Sequence, residues 1–201
     1  DNVIKKLVSQ GFKRQPVVSS LNILLKDGYR IPITGEQNVY NFCNSNHMTD
    51  AMYEKAEKKV RGQVLDFFKE DEYPFRVTAS TEQKVTQGER ESIKASFNVM
   101  EKTYRYIRRV TFVHENYPYL VIDMSTVKQS TKYQQSFLSS GIFNILDTYE
   151  IEIEFKKDPD SYFRGTAAFK QGLRLTDANI KKTVIPQFQK YIKYVLGGIQ
   201  E

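Results

Sequence analysis

Sulfur and imidazole are scarce in this chain. Cys43 is the single cysteine among 201 residues, and histidine occurs only as His47 and His114. One thiol cannot close an internal disulfide, and such a set builds neither a cysteine-based zinc site nor a histidine-rich metal site. A reducing compartment fits, and both histidines read as surface or loop residues. Long apolar runs are missing too. Nothing approaches the roughly 20 apolar residues of a membrane-spanning helix, and no signal-peptide pattern opens the chain. There is no internal repeat and no low-complexity segment. What remains for chemistry is carboxylate, guanidinium and ammonium. Thirty Lys and Arg against 24 Asp and Glu give a formal net charge of +6 and a pI near 9.2. That excess favours an anionic partner such as RNA or a polyphosphate. The length suits one domain, 1–201, with a sizeable core.

Periodicity outlines the elements. "DNVIKKLVSQGF" predicts a short helix with Val3, Ile4, Leu7 and Val8 as its apolar stripe and Gly11 as C-cap. "SSLNILLKDGYRIPIT" predicts two strands around an Asp27-Gly28 turn. "EQNVYNFCN" and "MTDAMYEKAEKK" read as helices, "GQVLDFF" and "YPFRVTASTEQ" as strands, and "TQGERES" as a loop. "YRYIRRVTFVHE" and "YLVIDMSTVKQ" read as a meander turning at Asn116 to Pro118. "TDANIKKTVIPQFQKYIKYVLGGIQ" predicts a closing helix capped by Thr176 and kinked at Pro186. Many strands with few helices imply α+β with an antiparallel sheet.

The strand "YEIEIEF" at 149–155 carries the sharpest pattern. Side chains alternate faces, so Glu150, Glu152 and Glu154 line one side and Ile151, Ile153 and Phe155 the other. Neighbouring carboxylates sit roughly 6.5–7 Å apart along the strand. At an effective dielectric of 20 each pair repels by about 2 kcal/mol. Either this face is in water, or it lines an enclosed space where a cation offsets the charge. Carboxylates suit Mg²⁺, Mn²⁺ and Ca²⁺. Other strands repeat the division. Arg76, Thr78, Ser80 and Glu82 share a face, as do Arg105, Ile107, Arg109 and Thr111; Asp123 and Ser125 oppose Ile122 and Met124. Such a sheet can be half-solvated, or close into a barrel with a charged lumen in which carboxylates hold a metal and arginines an oxyanion.

In their order along the chain, "YRIPITGEQNVYNFCNSN", "DEYPFRVTASTE", "KTYRYIRRVTF" followed by "YLVIDMSTVK", "YEIEIEF" and "YIKYVLGGIQE" resemble the motifs of the tunnel metalloenzyme RNA triphosphatases. The nearest likeness is to the triphosphatase domain of messenger-RNA capping enzymes of large DNA viruses, and it covers nearly the whole chain. The resemblance implies an eight-stranded antiparallel barrel, a charge-lined triphosphate tunnel packed by helices. It implies removal of the γ-phosphate from the 5′-triphosphate end of nascent RNA with Mg²⁺ or Mn²⁺.

By that resemblance Glu150, Glu152 and Glu154 carry metal and water, and Arg76, Arg105 and Arg109 clamp the triphosphate. Asp123 and Glu82 bind a metal-bound water or orient the basic residues. Arg30, Lys58 and Lys59 are further phosphate contacts, although a solvated helix face is the simpler reading of the two lysines. Guanylyltransferase and methyltransferase domains are expected in the same polypeptide, in the cytoplasm (a viral factory) or the virion. The sequence departs from the family pattern in two ways. It shows no first E-x-E strand, beginning where the family has the following helix, so a fragment of a larger capping enzyme is expected; Glu89 and Glu91, in a loop context, are a poor substitute. Ile107 also stands where relatives often carry lysine. A barrel that binds a triphosphate end without hydrolysis, or a tunnel enzyme acting on inorganic triphosphate or nucleotides, is the alternative.

Overall fold

A computed structural model of the chain describes residues 2–67, 75–116, 120–155 and 185–200. Eight strands join in one sheet. They are β1 (Lys13–Arg14), β2 (Val18–Leu25), β3 (Tyr29–Thr34), β4 (Glu57–Phe67), β5 (Phe75–Lys84), β6 (Lys102–Val113), β7 (Leu120–Gln129) and β8 (Thr148–Phe155). The order is β5-β4-β3-β2-β6-β7-β8, with β1 paired to β6. The pairs β1–β6, β2–β3, β3–β4 and β4–β5 are antiparallel. Five α-helices accompany them among the described residues: α1 (Asn2–Ser9), α2 (Glu36–Ser45), α3 (Asp50–Tyr53), α4 (Gln87–Ser96) and α5 (Ile185–Gln200). The chain divides into two compact units. One holds residues 1–17, 109–125 and 149–201, the other 18–108 and 126–148, and strands β6 and β7 run through both.

The larger unit is built on the β2–β3 hairpin. Alternation sends Leu21, Ile23 and Leu25 of β2 and Ile31 and Ile33 of β3 to one face, where they join Val39 and Phe42 of α2, Ile93 of α4, and Phe97. Gly28 takes φ +81° at the turn, a conformation that penalises a Cβ. Phe137 packs edge to face against both Phe42 and Tyr104, with centroids 5.8 Å and 5.3 Å apart. Asn46 ends α2 in the left-handed conformation, and its side-chain oxygen accepts the Phe137 N–H at 2.9 Å. Lys102 is fully buried in this unit. Its ammonium donates to the carbonyls of Phe97 and Met100, closing the C-terminal end of α4, and burial lowers its pKa to about 8.

Two expected elements differ. "TQGERES" is the start of α4, not a loop, so Glu89 and Glu91 are helical. Thr86 is its N-cap and forms a capping box with Glu89. The helix expected over "MTDAMYEKAEKK" is the single turn α3, because from Glu57 the chain pairs with β3. Lys58 and Lys59 are therefore strand residues rather than members of a helix face. The Thr176 cap and the 117–118 part of the meander turn lie outside the described residues.

In the smaller unit, α1 packs against α5. Val3 and Leu7 of α1, Phe12, Phe112 of β6, Leu120 and Ile122 of β7, and Tyr191 and Val195 of α5 form its core. Val110, Met124, Ile151 and Ile153 pack against that cluster while partly exposed. The helices thus cover the apolar face of β6, β7 and β8 in this unit, which leaves the glutamates of β8 on the opposite face.

Candidate functional site

That opposite face gathers charge around Arg109. Three acceptors take one nitrogen each of its guanidinium. Nε donates to Ser125 Oγ at 3.1 Å and Nη2 to Glu152 Oε2 at 2.6 Å, while Nη1 forms an ion pair with Asp123 Oδ2 at 3.1 Å. Asp123 is 2 % exposed, Arg109 31 % and Glu152 48 %. The buried carboxylate is held from a second side, because Thr111 Oγ1 donates to Asp123 Oδ1 at 2.6 Å. Strand order explains the assembly. Arg109 on β6 reaches Asp123 and Ser125 on the adjacent β7, then Glu152 on β8 beyond it. Glu150 and Glu154 stand two residues either side of Glu152, on the same face.

The larger unit has its own charged face. Arg30 pairs with Glu57 on β4 and with Glu82 on β5, at one-fifth exposure of its side chain. The ladder places Arg30 opposite Glu57, Glu57 opposite Lys84, and Lys59 opposite Glu82. Directly opposed residues share a face, and so do residues two apart, so Arg30, Lys59, Lys84, Glu57 and Glu82 lie together. Lys58 falls on the other face, 4.8 Å from the centre of the Tyr29 ring. The Tyr29 hydroxyl donates to Glu89 at 2.7 Å. The Thr86 hydroxyl, then Tyr29, then the Thr86 backbone hold the Glu89 carboxyl down at about 2. Arg105 donates to Gln129 at 2.9 Å, and Arg76 stands exposed on β5, opposite Asp66. Both belong to the larger unit, while Arg109, Asp123 and the three glutamates belong to the smaller one. Ile107 is buried.

The sequence did not single out Thr111 and Ser125 as partners of the charged pair, nor Glu57 as the partner of Arg30. Strand parity was the available signal for the hydroxyls: Thr111 is two residues from Arg109, and Ser125 two from Asp123. Among the described residues no three His, Cys, Asp or Glu side chains converge as a metal-binding group. Mg²⁺, however, is commonly held by one or two carboxylates together with substrate phosphates and water. Glu150 or Glu154, each a hard oxygen donor on the face of the Arg109 cluster, fits that use as a single carboxylate ligand.

Sheet order and helices define an α+β fold of the triphosphate-tunnel kind. The particular structures it is similar to are viral. One is the RNA triphosphatase domain of a trifunctional mimivirus mRNA capping enzyme, 12 % identical, with a TM-score of 0.50 over 100 % of this chain and 82 % of that one. A triclinic structure of the mimivirus capping enzyme triphosphatase also matches at 12 % identity and a TM-score of 0.50, covering 94 % and 81 %. No protein-family model matches the chain. No curated protein matches it either. Among the described residues no helix is long and apolar enough to cross a membrane.

Proposed function

We propose that the chain removes the γ-phosphate from the 5′-triphosphate end of nascent RNA, the first step of capping. The observation that carries this reading is Arg109, fixed by Ser125, Asp123 and Glu152 on the charged face of a fold shared with RNA triphosphatase domains. A guanidinium has five N–H donors in a planar fork, and three acceptors leave donors on its two terminal nitrogens for phosphate oxygens. Asp123 and Ser125 orient the fork, and Thr111 holds Asp123. The larger unit carries cationic residues of its own, Arg30, Lys59, Arg76 and Arg105. Glu150 or Glu154 would supply a carboxylate ligand for Mg²⁺ or Mn²⁺, beside phosphate oxygens and water. When bound, the ion neutralises charge on the phosphate oxygens. In-line attack by water then needs no covalent intermediate. Guanylyltransferase and methyltransferase domains in the same polypeptide would take the product onward.

The test is γ-phosphate release from triphosphate-ended RNA, ATP and inorganic triphosphate across a Mn²⁺ titration. Release from RNA that chelation abolishes is expected. Tight binding of the RNA end without phosphate release would replace hydrolysis by a binding role. Release from inorganic triphosphate alone would move the substrate to small polyphosphates.

A further inference from the structure

Among the described residues, the two helices of the smaller unit are basic and contain no acid. α1 reads NVIKKLVS and α5 reads IPQFQKYIKYVLGGIQ, so their only charged residues are Lys5, Lys6, Lys190 and Lys193. Lys5, Lys190 and Lys193 are exposed. Lys190 and Lys193 are three apart and share one side of α5, opposite the buried Tyr191 and Val195. Arg14 joins them from β1. It is exposed, and its register partner is Phe112, which belongs to the helix-covered core, so Arg14 emerges on the helical side of the sheet. Lys13 has the other parity and is engaged by Glu115.

Ring contacts tie these elements into one neighbourhood. Phe12, beside β1, packs edge-on against Tyr191 and Tyr194 of α5, with centroids 4.9 Å and 6.3 Å apart. The Lys190 ammonium lies 5.6 Å from the centre of the Tyr194 ring. The His114 imidazole, 5.1 Å from Phe12, is bonded to the Gln10 carbonyl at the end of α1. Its pKa is lowered first by burial, and the Lys190 charge adds to that.

We infer that Lys5, Arg14, Lys190 and Lys193 form a binding surface for the ribose-phosphate backbone of single-stranded RNA. It is separate from the charged face and takes the body of the transcript whose 5′ end is the proposed substrate. The inference rests on the proposed reading for its choice of RNA and on charge complementarity for the contact. Lysines on one helix side present point charges that follow a backbone without reading bases. Each phosphate neutralised on a single strand contributes a salt slope of about −0.7. Four contacts therefore predict a loss of about 50-fold in affinity between about 50 and 200 mM salt.

The test measures fluorescence anisotropy of single-stranded RNA ending in a 5′-hydroxyl, which offers no triphosphate to the charged face. It compares the full chain with the variant Lys5→Gln, Arg14→Gln, Lys190→Gln, Lys193→Gln. The expected result is a salt slope shallower by about 3 in the variant, with hydrolysis of inorganic triphosphate and ATP unchanged. A set that preserves charge, with Arg at the three lysines and Lys at 14, should bind as the parent does. If the neutral set lowers the melting temperature, Lys5→Gln and Lys193→Gln singly, each worth about 0.7 of slope, carry the comparison. Equal affinity and equal slope in parent and variants overturns the RNA surface, including the case in which this face docks an acidic protein domain instead. Absence of phosphate release by the parent on every substrate sinks the proposed hydrolysis but leaves the RNA comparison standing.

Discussion

Replacing Arg109 by Met tests whether the buried carboxylate beneath it needs the guanidinium. Asp123 is 2 % exposed and has two identified partners, Thr111 at 2.6 Å and Arg109 at 3.1 Å. Breaking a buried ion pair from one side typically costs about 3–5 kcal/mol, because the remaining charge is stranded. Arg109 is itself nearly a third exposed, so water already screens part of the pair. The Thr111 bond also survives the substitution. About 3 kcal/mol, the lower end of that range, is therefore expected for Arg109→Met. Substituting both partners, Arg109→Met with Asp123→Leu, removes the stranded charge, and isosteric apolar replacement of buried pairs is often close to neutral. The double variant should recover most of the loss, a coupling of roughly 2–3 kcal/mol. Glu152→Gln is the contrast. It breaks a 2.6 Å contact to a half-exposed carboxylate and should cost only about 0–1 kcal/mol. Urea unfolding midpoints of the single and double variants, at constant slope, measure all four quantities. If Arg109→Met and Asp123→Leu each cost under about 0.5 kcal/mol and simply add, Asp123 is hydrated and does not organise the arginine.

Three further outcomes follow from other parts of the molecule. The Glu89 carboxyl is held at about 2 against an ordinary 4.5. Its stabilising contribution is therefore full above about 4.5 and disappears as the pH falls toward 2. Glu89→Gln should destabilise the protein at pH 6 and match the parent at pH 2 in acid unfolding; a difference independent of pH refutes the linkage. Ile151→Ala on the apolar side of β8 removes a partly exposed side chain, so a loss of about 1–2 kcal/mol is expected, short of the full-burial cost; no change in melting temperature means the faces of β8 are reversed. Gly28→Ala meets both φ +81° and a Cβ 3.2 Å from the Lys59 carbonyl, and should cost at least about 1–2 kcal/mol in denaturant unfolding; a neutral result shows that the turn relaxes.

The elements that the sequence displayed best were those whose pattern had one period and no competitor. β8 alternates glutamate with isoleucine and aromatic residues from Tyr149 to Phe155, and α1 keeps Val3 and Leu7 on one stripe before Gly11. α4 was hidden because "TQGERESIKAS" has Ile93 as its one large apolar residue. Its legible signal was the Thr86-x-x-Glu89 capping box, a pattern of four residues rather than a periodicity. Lys58 and Lys59 stood in a run of good helix formers. Pairing of β4 with Tyr29 and Arg30 overrode that local preference. Within the candidate site, parity placed Arg109 with Thr111, and Asp123 with Ser125. Parity cannot say which strands are neighbours, so the joining of Arg109 to Glu152 across β7 needed the sheet order. The same holds for Arg30, whose acids Glu57 and Glu82 lie 27 and 52 residues away in sequence.

The three-cornered hold on Arg109 also bears on when its freedom is lost. A free arginine side chain carries about 2 kcal/mol of rotamer entropy. At an ordinary surface arginine, that freedom is surrendered as an anion arrives and weakens the encounter. Here Ser125, Asp123 and Glu152 arrest the fork while the chain folds, so the loss belongs to folding stability and not to association. An anion reaching Arg109 meets a donor set already at rest. Loosening any one corner would therefore slacken recognition even where the charge stays in place.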